Sequence, residues 1–279
     1  MIKDNRIIYD DNGTKTDYSH ILADIEANHL DIVMVAAEDS LYLGSTFPFN
    51  HRYFSIQSVN NNTSTVSISL YDGRTWNPAV DVIDKTSVDG KTFKQSGIIQ
   101  FSLDRTKTWQ RVGTTESITE LSGFKIYDKY WARLRVSANL SSGSSLKYVG
   151  HAFCTDAQFA LLYPDLSSSN MLTAFASGKT SWEEQHVMAA DKIIEDLQNS
   201  GLVTSGNQIM NFERYTQASM HCVAAMIYRA FGDDYKDNLE QAVKDYKEAI
   251  KKAIGDIDKN ADGVLSVGEQ FAELKITRR

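Results

Sequence analysis

The hydrophobic period of the chain changes at Cys154, and this change constrains the fold more than any other feature. Between Asp31 and Val149, apolar and polar residues alternate in short runs separated by turns, which is typical of β-strands. After Cys154, apolar residues recur every three or four positions, which is typical of amphipathic helices. The sequence therefore predicts an α+β chain, with an N-terminal antiparallel β-sandwich or jelly-roll-like domain followed by a C-terminal helical bundle.

Nine strands are predicted in the first region. Thr65–Tyr71 is the clearest, because Val66, Ile68 and Leu70 share one face and Asp72-Gly73 follows as a type I′ hairpin signal. The other predicted strands are Asp31–Met34, Tyr42–Leu43, Tyr53–Val59, Trp76–Val82, Ile98–Phe101, Lys125–Tyr127, Trp131–Ser137 and Lys147–Val149. The first 30 residues are ambiguous, and we interpret Arg6–Tyr9 as a further strand and Tyr18–Ala27 as a short helix.

Four helices are predicted after Cys154. The first begins at a capping box from Thr155 to Gln158 and ends at Tyr163-Pro164, and Ser167–Gly178 then forms a Ser-rich connector. The remaining predicted helices run from Thr180 to Gly201, over Asn207–Phe231, and from about Asp234 to Ile254.

The fourth helix carries a narrow apolar stripe on an otherwise charged surface. Leu239, Val243, Tyr246, Ile250 and Ile254 follow one another at spacings of 4, 3, 4 and 4 residues. Such a stripe packs either on the third helix or on a neighbouring subunit, and the sequence leaves both open. Leu239, Val243, Tyr246 and Ile250 are therefore the predicted interface residues.

The segment Asp258–Glu269 matches a twelve-residue EF-hand loop position by position. Gly263 occupies the position of the sharp turn, Leu265 is the usual apolar anchor, and Val267–Leu274 is predicted as a short exiting helix. The predicted calcium ligands are Asp258, Asn260, Asp262, Val264 through its carbonyl, Ser266 and Glu269. The alternative is a solvated acidic turn. The loop has no second copy in the sequence, so we expect the Ca²⁺ ion to be structural rather than regulatory.

Charge and composition exclude several classes of protein. Residues 1–150 carry 16 Lys and Arg against 17 Asp and Glu, and residues 151–279 carry 13 against 19, so the second half has a net charge of −6. No half is basic, which argues against a nucleic-acid-binding protein. No apolar window is long enough for a transmembrane helix, the N-terminus has no signal-peptide pattern, and the two cysteines form no disulfide framework, so we expect folding in a reducing cytoplasm.

No catalytic motif stands out, and the chain is predicted not to be an enzyme. His151, Cys154 and Asp156 lie close in sequence, but at a strand-to-helix junction Cys is usually core and Asp a helix-cap residue. His221-Cys222 lies on an apolar helix and is predicted to be core. Acidic pairs such as Glu183-Glu184 and Asp233-Asp234 lie at helix starts, where the helix dipole favours them.

We place the domain boundaries by these patterns. Residues 1–152 form the predicted β-sandwich domain, residues 153–256 the helical bundle, and residues 257–279 the calcium-loop tail.

Several runs in the β-region resemble virion proteins of tailed bacteriophages. They are Tyr42–His51, Tyr71–Trp76, Ile126–Arg133 and Lys147–Phe153. The helical segment Ala189–Lys252 is similar to the head-to-tail connector, or adaptor, family. The chain departs from compact adaptors by its large β-region and its calcium loop.

The resemblance implies a structural virion protein of the phage neck, made in the cytoplasm of a bacterial host. It implies a homo-oligomeric ring, usually of twelve copies, that docks on the portal protein, contacts tail or neck proteins and prolongs the DNA channel. DNA would pass without specific binding, which the acidic helical region favours because like charges repel. No membrane association is expected.

Two other functions remain as alternatives. A calcium-dependent carbohydrate-binding or tail or baseplate module is suggested by the aromatic-rich β-region, in which Trp76, Trp109, Trp131 and Tyr130 could line a sugar platform. A hydrolase with an unrecognised site has no motif in its favour.

Overall fold

A computed structural model describes residues 5–25 and 29–270. The chain divides into two compact units. The first comprises the described residues up to Gly150 together with Asn260–Val264, and the second comprises His151–Lys259 together with the described residues from Leu265 onward. The predicted α+β class is confirmed, because antiparallel sheets precede the helices along the chain.

Eleven strands are present in the described part of the first unit. They are β1 Arg6–Asp11, β2 Thr14–Asp17, β3 Leu30–Asp31, β4 Ser40–Ser45, β5 His51–Ser58, β6 Val66–Tyr71, β7 Trp76–Pro78, β8 Val80–Asp84, β9 Gly97–Ser102, β10 Tyr130–Val136 and β11 Ser145–Gly150. One sheet has the order β2-β1-β4-β10-β6-β7 and the other β3-β11-β5-β9-β8, with antiparallel pairing throughout.

The two sheets share one hydrophobic core. Buried residues from the first sheet, such as Ile7 and Leu134, belong to the same cluster as Phe54 and Leu146 of the second. A second cluster on the first sheet centres on Trp131, which lies opposite Gly44 on β4. A Cβ atom at Gly44 would lie 2.9 Å from the indole ring, so the glycine makes room for the tryptophan.

Three strand predictions are wrong. The predicted strand Asp31–Met34 is extended only at Asp31, in β3, and residues 32–34 are not part of a strand. Trp76–Val82 is predicted as one strand, but it divides into β7 and β8, which pair in different sheets. The division coincides with a register shift between Val80 and Ile83 and with a left-handed backbone at Asp81, at φ 50°. Lys125–Tyr127 is not a strand either, because it forms a turn before β10.

Of the two N-terminal predictions, the strand is confirmed and the helix is not. The predicted strand Arg6–Tyr9 is confirmed as part of β1, whereas β2 has no counterpart among the predictions. Residues 18–25 form turns rather than a helix, and the end of the predicted Tyr18–Ala27 helix lies outside the described residues.

The hairpin after β6 is confirmed, but its turn differs from the predicted one. Tyr71 pairs with Trp76, so the loop has four residues rather than the two of a type I′ turn. The carboxylate of Asp72 accepts hydrogen bonds from the backbone N–H groups of Arg74 and Thr75 at 2.8 and 2.7 Å, and these bonds stabilise the wider turn.

The second unit is helical. Its helices are α1 Asp156–Leu162, α2 Ser169–Phe175, α3 Glu183–Asn199, α4 Thr216–Phe231, α5 Lys236–Ala253 and α6 Val267–Gln270. The predicted capping box at Thr155 is present, since its hydroxyl accepts from the Gln158 N–H and the Gln158 side chain accepts from the Thr155 N–H. α4 packs against both α3 and α5.

Two predictions for the helical region need correction. The Ser-rich segment Ser167–Gly178, predicted as a connector, contains α2, whose N-cap is Ser168. The helix predicted over Asn207–Phe231 begins only at Thr216, because residues 206–208 and 212–215 form separate 3₁₀ turns. α6 ends at Gln270 within the described residues, and the rest of the predicted exiting helix lies outside them.

Candidate functional site

The two ends of the predicted calcium loop lie in the second unit, where they are anchored by hydrogen bonds. The N–H group of Asp258 donates to the carbonyl of Gln208 at 2.9 Å, and the Asp258 carbonyl accepts from the Gln208 side chain at 2.8 Å. Asp258 is fully buried and Glu269 is buried. The first and last residues of the motif are therefore held in place rather than solvated.

The Glu269 carboxylate turns back toward the start of the loop. One oxygen accepts from the N–H group of Lys259 at 2.8 Å, and the other accepts from the N–H and hydroxyl groups of Ser266 at 2.9 and 2.7 Å. Ser266 and Glu269 also have the spacing of a capping box at the start of α6. The same carboxylate thus begins the helix and lies where an EF-hand would use it as a bidentate ligand.

The tip of the loop, Asn260–Val264, is grouped with the first unit. The Asn260 side chain accepts from the N–H group of Asp262 at 3.1 Å, and the Asp262 side chain accepts from that of Val264 at 2.8 Å. Gly263 has φ +82°, the left-handed conformation required at the sharp turn. These turns aim the polar side chains toward their own backbone.

The donor set of the loop fits Ca²⁺ in its chemistry. All six predicted ligands are oxygen donors, which suits a hard divalent cation, and none is a nitrogen or sulfur donor. Within residues 5–25 and 29–270, no group of three or more His, Cys, Asp and Glu side chains is already placed to hold a metal ion.

An apolar groove of about 640 Å³ lies between α3, α4 and α5. Its apolar wall includes Leu197, Ala225, Met226, Val243, Ile250 and Ile254. Its charged residues are four cations, Lys192, Arg229, Lys247 and Lys251, and one anion, Asp196. The groove is thus apolar inside and has a net charge of +3 among its lining residues, within a half of the chain whose net charge is −6.

The predicted interface residues of α5 have different environments. Tyr246 is buried, and its hydroxyl donates to Asp196 at 2.6 Å, so it packs within the unit. Val243 and Ile250 are half-buried and line the groove, and Leu239 is half-buried outside it. The face that packs inward is Ala242, Tyr246, Ala249 and Ala253. One side of the stripe therefore packs within the helical unit, and the other side lines an open groove.

A buried polar cluster joins α1, α3 and α4. Nδ1 of His186 lies 3.0 Å from Sγ of Cys154, and Nε2 of His186 lies 2.9 Å from Oδ1 of Asp156. The Cys154 sulfur also lies 3.2 Å from the hydroxyl of Ser219. The sequence suggested Cys154 and Asp156, but it missed His186 and Ser219, because nothing along the chain shows that residues 32 and 65 positions from Cys154 return to it.

The electrostatics of this cluster favour a charged imidazole. Burial alone would lower the pKa of His186, but the facing Cys154 sulfur and the hydrogen bond with Asp156 raise the pKa to about 9. The pKa of Asp156 is lowered, because hydrogen bonds to His186 and Ser181 outweigh its burial.

A Cys–His–Asp arrangement is the geometry of an activated nucleophile. Cys154 and His186 are each only 1% exposed, however, so no substrate atom reaches the sulfur in this conformation. The cluster anchors the start of α1 to α3.

The aromatic residues considered for a sugar platform lie largely inside the first unit. Trp131 and Trp109 are buried, and their indole N–H groups donate to the carbonyls of Ile126 and Trp131 at 2.9 and 3.1 Å. Trp76 is half-buried beneath the Arg133 guanidinium, 4.8 Å from its ring centre. Tyr130 packs edge-on against Trp109. These four side chains therefore form no exposed platform.

No protein-family model matches the chain, and no curated protein matches it either. Among the described residues, no helix is both long and apolar enough to cross a membrane.

Proposed function

We propose that the chain is a structural protein of the tailed-phage neck, a head-to-tail adaptor that forms a ring between the portal and the tail. The observation that carries this proposal is the open apolar groove between α3, α4 and α5, into which the predicted interface residues Val243 and Ile250 project. A groove that its own chain leaves unfilled is typical of an assembly surface. The resemblance of residues 189–252 to connector proteins supports a ring as the type of assembly.

The charge of the helical region supports the proposed passage of DNA through the ring. Residues 151–279 have a net charge of −6, so a ring built from them would repel passing DNA rather than retain it. The proposed partners are further copies of this chain, the portal protein and tail or neck proteins. The proposed location is the virion neck, and no catalytic activity is proposed.

We further propose that the loop Asp258–Glu269 binds one structural Ca²⁺ ion. Asp258, Asn260, Asp262, Ser266 and Glu269 would bind it through their side chains and Val264 through its carbonyl. The support is the twelve-position sequence match together with the inward-turned Glu269 carboxylate. When bound, the ion would draw the loop carboxylates together and fix the path of the chain after α5.

Electron microscopy of the purified chain, alone and mixed with its cognate portal protein in calcium, tests the assembly proposal. Rings, in particular twelvefold rings stacked on the portal, are the expected result. Single copies under both conditions would contradict an adaptor role and leave the groove without this function.

A further inference from the structure

The strongest unexplained surface feature outside the groove is a pair of exposed leucines at the end of α1. Leu161 is 87% exposed and Leu162 is 41% exposed, whereas Phe159 of the same helix is fully buried. Pro164, also exposed, follows them. Isolated apolar residues on a surface are ordinary, whereas contiguous exposed apolar patches mark interaction sites. We call Leu161, Leu162 and Pro164 the α1 knob.

We propose that the α1 knob of one copy of this chain inserts into the groove between α3, α4 and α5 of a second copy. This inference rests on the proposed ring assembly and names the contact that builds it. It joins two apolar surfaces of the helical unit that a single copy leaves exposed, a protrusion and a concavity.

Charge supports the same pairing. The segment from Thr155 to Gly178 contains no Lys or Arg, and its exposed carboxylate is that of Asp165, next to the knob, since Asp156 is paired with His186. The groove has a net charge of +3 among its lining residues. Asp196 is already engaged by Lys192 at 2.6 Å and by the Tyr246 hydroxyl at 2.6 Å. Arg229, Lys247 and Lys251 have no ion-pair partner within the part of the chain that the structure describes, so they are available to an incoming carboxylate.

None of the knob residues lines the groove of its own copy. The end of α1 contacts α4 at His221, whose ring nitrogen lies 2.7 Å from the hydroxyl of Tyr163. The groove contains Cys222, the next residue of α4. Successive helical residues point about 100° apart, so the knob and the groove lie on different sides of α4.

A contact between two different surfaces of identical chains repeats from copy to copy. Such head-to-tail contacts close into rings when the rotation between copies allows it. The knob-in-groove contact therefore predicts cyclic assembly rather than a symmetric dimer.

The test begins with Leu161→Asp, which changes a solvent-exposed side chain and leaves the fold intact. Mass photometry and electron microscopy would compare it with the wild-type chain, alone and on the portal protein. We expect the dissociation constant of the copy-to-copy contact to rise by at least about tenfold, because a carboxylate would enter an apolar groove. Met188→Asp is the matched control, since Met188 is exposed on α3 but does not line the groove.

A mixing experiment tests the direction of the contact. Leu161→Asp keeps its groove, and Ile250→Asp keeps its knob, so neither alone can form the contact. Mixed together, they are expected to form heterodimers that grow no further. If Ile250→Asp unfolds at a lower temperature than the wild type, a double variant, Lys247→Glu and Lys251→Glu, is used in its place. Both lysines are exposed and line the groove.

The outcomes separate this inference from the proposed function. Loss of assembly in Leu161→Asp, together with heterodimers in the mixture, supports the knob-in-groove contact. Wild-type rings that persist unchanged in Leu161→Asp overturn the contact and leave the adaptor proposal in place. Wild-type single copies, alone and on the portal, overturn the adaptor proposal itself.

Discussion

The two units of the chain bury their apolar residues to different extents. Among the described residues of the first unit, which we call the β-unit, the large apolar side chains are at most 49% exposed, at Ile83. In the second unit, the helical unit, Leu161 reaches 87%, and an apolar groove stays open beside α5. The most exposed of the described apolar side chains and this groove therefore both belong to the helical unit.

Two buried histidines, one in each unit, have pKa values shifted in opposite directions. In the β-unit, burial and the neighbouring Arg52 lower the pKa of His51 to about 3, so this ring stays neutral. In the helical unit, His186 stays charged within the Cys154–Asp156 cluster, with its pKa raised to about 9. The buried cation Arg52 disfavours a second positive charge at His51, whereas the Cys154 sulfur and Asp156 favour one at His186.

The largest expected effect concerns the closed core of the β-unit. Trp131→Ala should lower the free energy of unfolding by about 3–5 kcal/mol, because it empties a fully buried ring site and removes the hydrogen bond to the Ile126 carbonyl. Urea unfolding followed by circular dichroism measures it. Trp76→Ala, at a half-buried position, is the control and should cost clearly less. Equal losses would mean that the core is not centred on Trp131.

The two histidines are expected to lower the stability of the chain at opposite ends of the pH range. We call the loss at low pH the acid limb and the loss at high pH the basic limb of the pH–stability profile. The folded pKa of His51 lies below its unfolded value of about 6.5, so stability falls as the pH drops from about 6.5 toward 3. The folded pKa of His186 lies above that value, so its contribution is complete below about pH 6.5 and is lost as the pH rises through about 9. At about 1.4 kcal/mol per pKa unit, each limb should amount to something on the order of 3 to 5 kcal/mol.

Urea unfolding at several pH values checks both limbs with single substitutions. His51→Gln should flatten the acid limb alone, and His186→Gln the basic limb alone. His20→Gln, at an exposed position, serves as the control and should change neither. If either variant flattened both limbs, the two units would not differ in the way described above.

We expect Ca²⁺ to bind the carboxylates of the loop Asp258–Glu269 and so to stabilise the folded chain. Glu269→Gln should weaken Ca²⁺ binding by at least about tenfold, because it removes a bidentate carboxylate. Isothermal titration calorimetry measures the affinity, with Glu248→Gln on the exposed face of α5 as the control. An unchanged affinity in Glu269→Gln would reject the EF-hand interpretation of the loop.

The smallest expected effect concerns the helix that carries the knob. Thr155→Ala should destabilise the helical unit by about 1 kcal/mol, since it removes a capping box at the start of α1. Thermal unfolding measures the change. Thr173→Ala, at an exposed position within α2, is the control and should be close to neutral. A loss as large in the control would show that the cap contributes nothing specific.

Local signals in the sequence predicted much of the fold. Alternation identified Thr65–Tyr71, and the Thr155 capping box placed the start of α1 correctly. Trp76–Val82 was predicted wrongly because alternation continues through a point where the chain changes sheets. The helix α2 was missed because a Ser-rich run is typical of loops, although one of those serines caps it.

The candidate sites show the same limit. The residues of the calcium loop are contiguous in the sequence, so the motif can be recognised from their spacing alone. The Cys154–His186 contact and the groove depend on residues from separate helices, and only the packed structure brings them together. The stripe on α5 predicted that Val243 and Ile250 need an apolar contact. It could not show that the fold buries Tyr246 but leaves Val243 and Ile250 half-buried.

The most direct test of the account is the mass of the assembled chain. Native mass spectrometry in calcium, on the wild-type chain and on Leu161→Asp, reads the number of copies in each assembly. The account predicts a closed ring for the wild type and single copies for the variant. A wild-type chain that stays single, alone and in the presence of the portal protein, would contradict the claim that its helical unit is built for assembly.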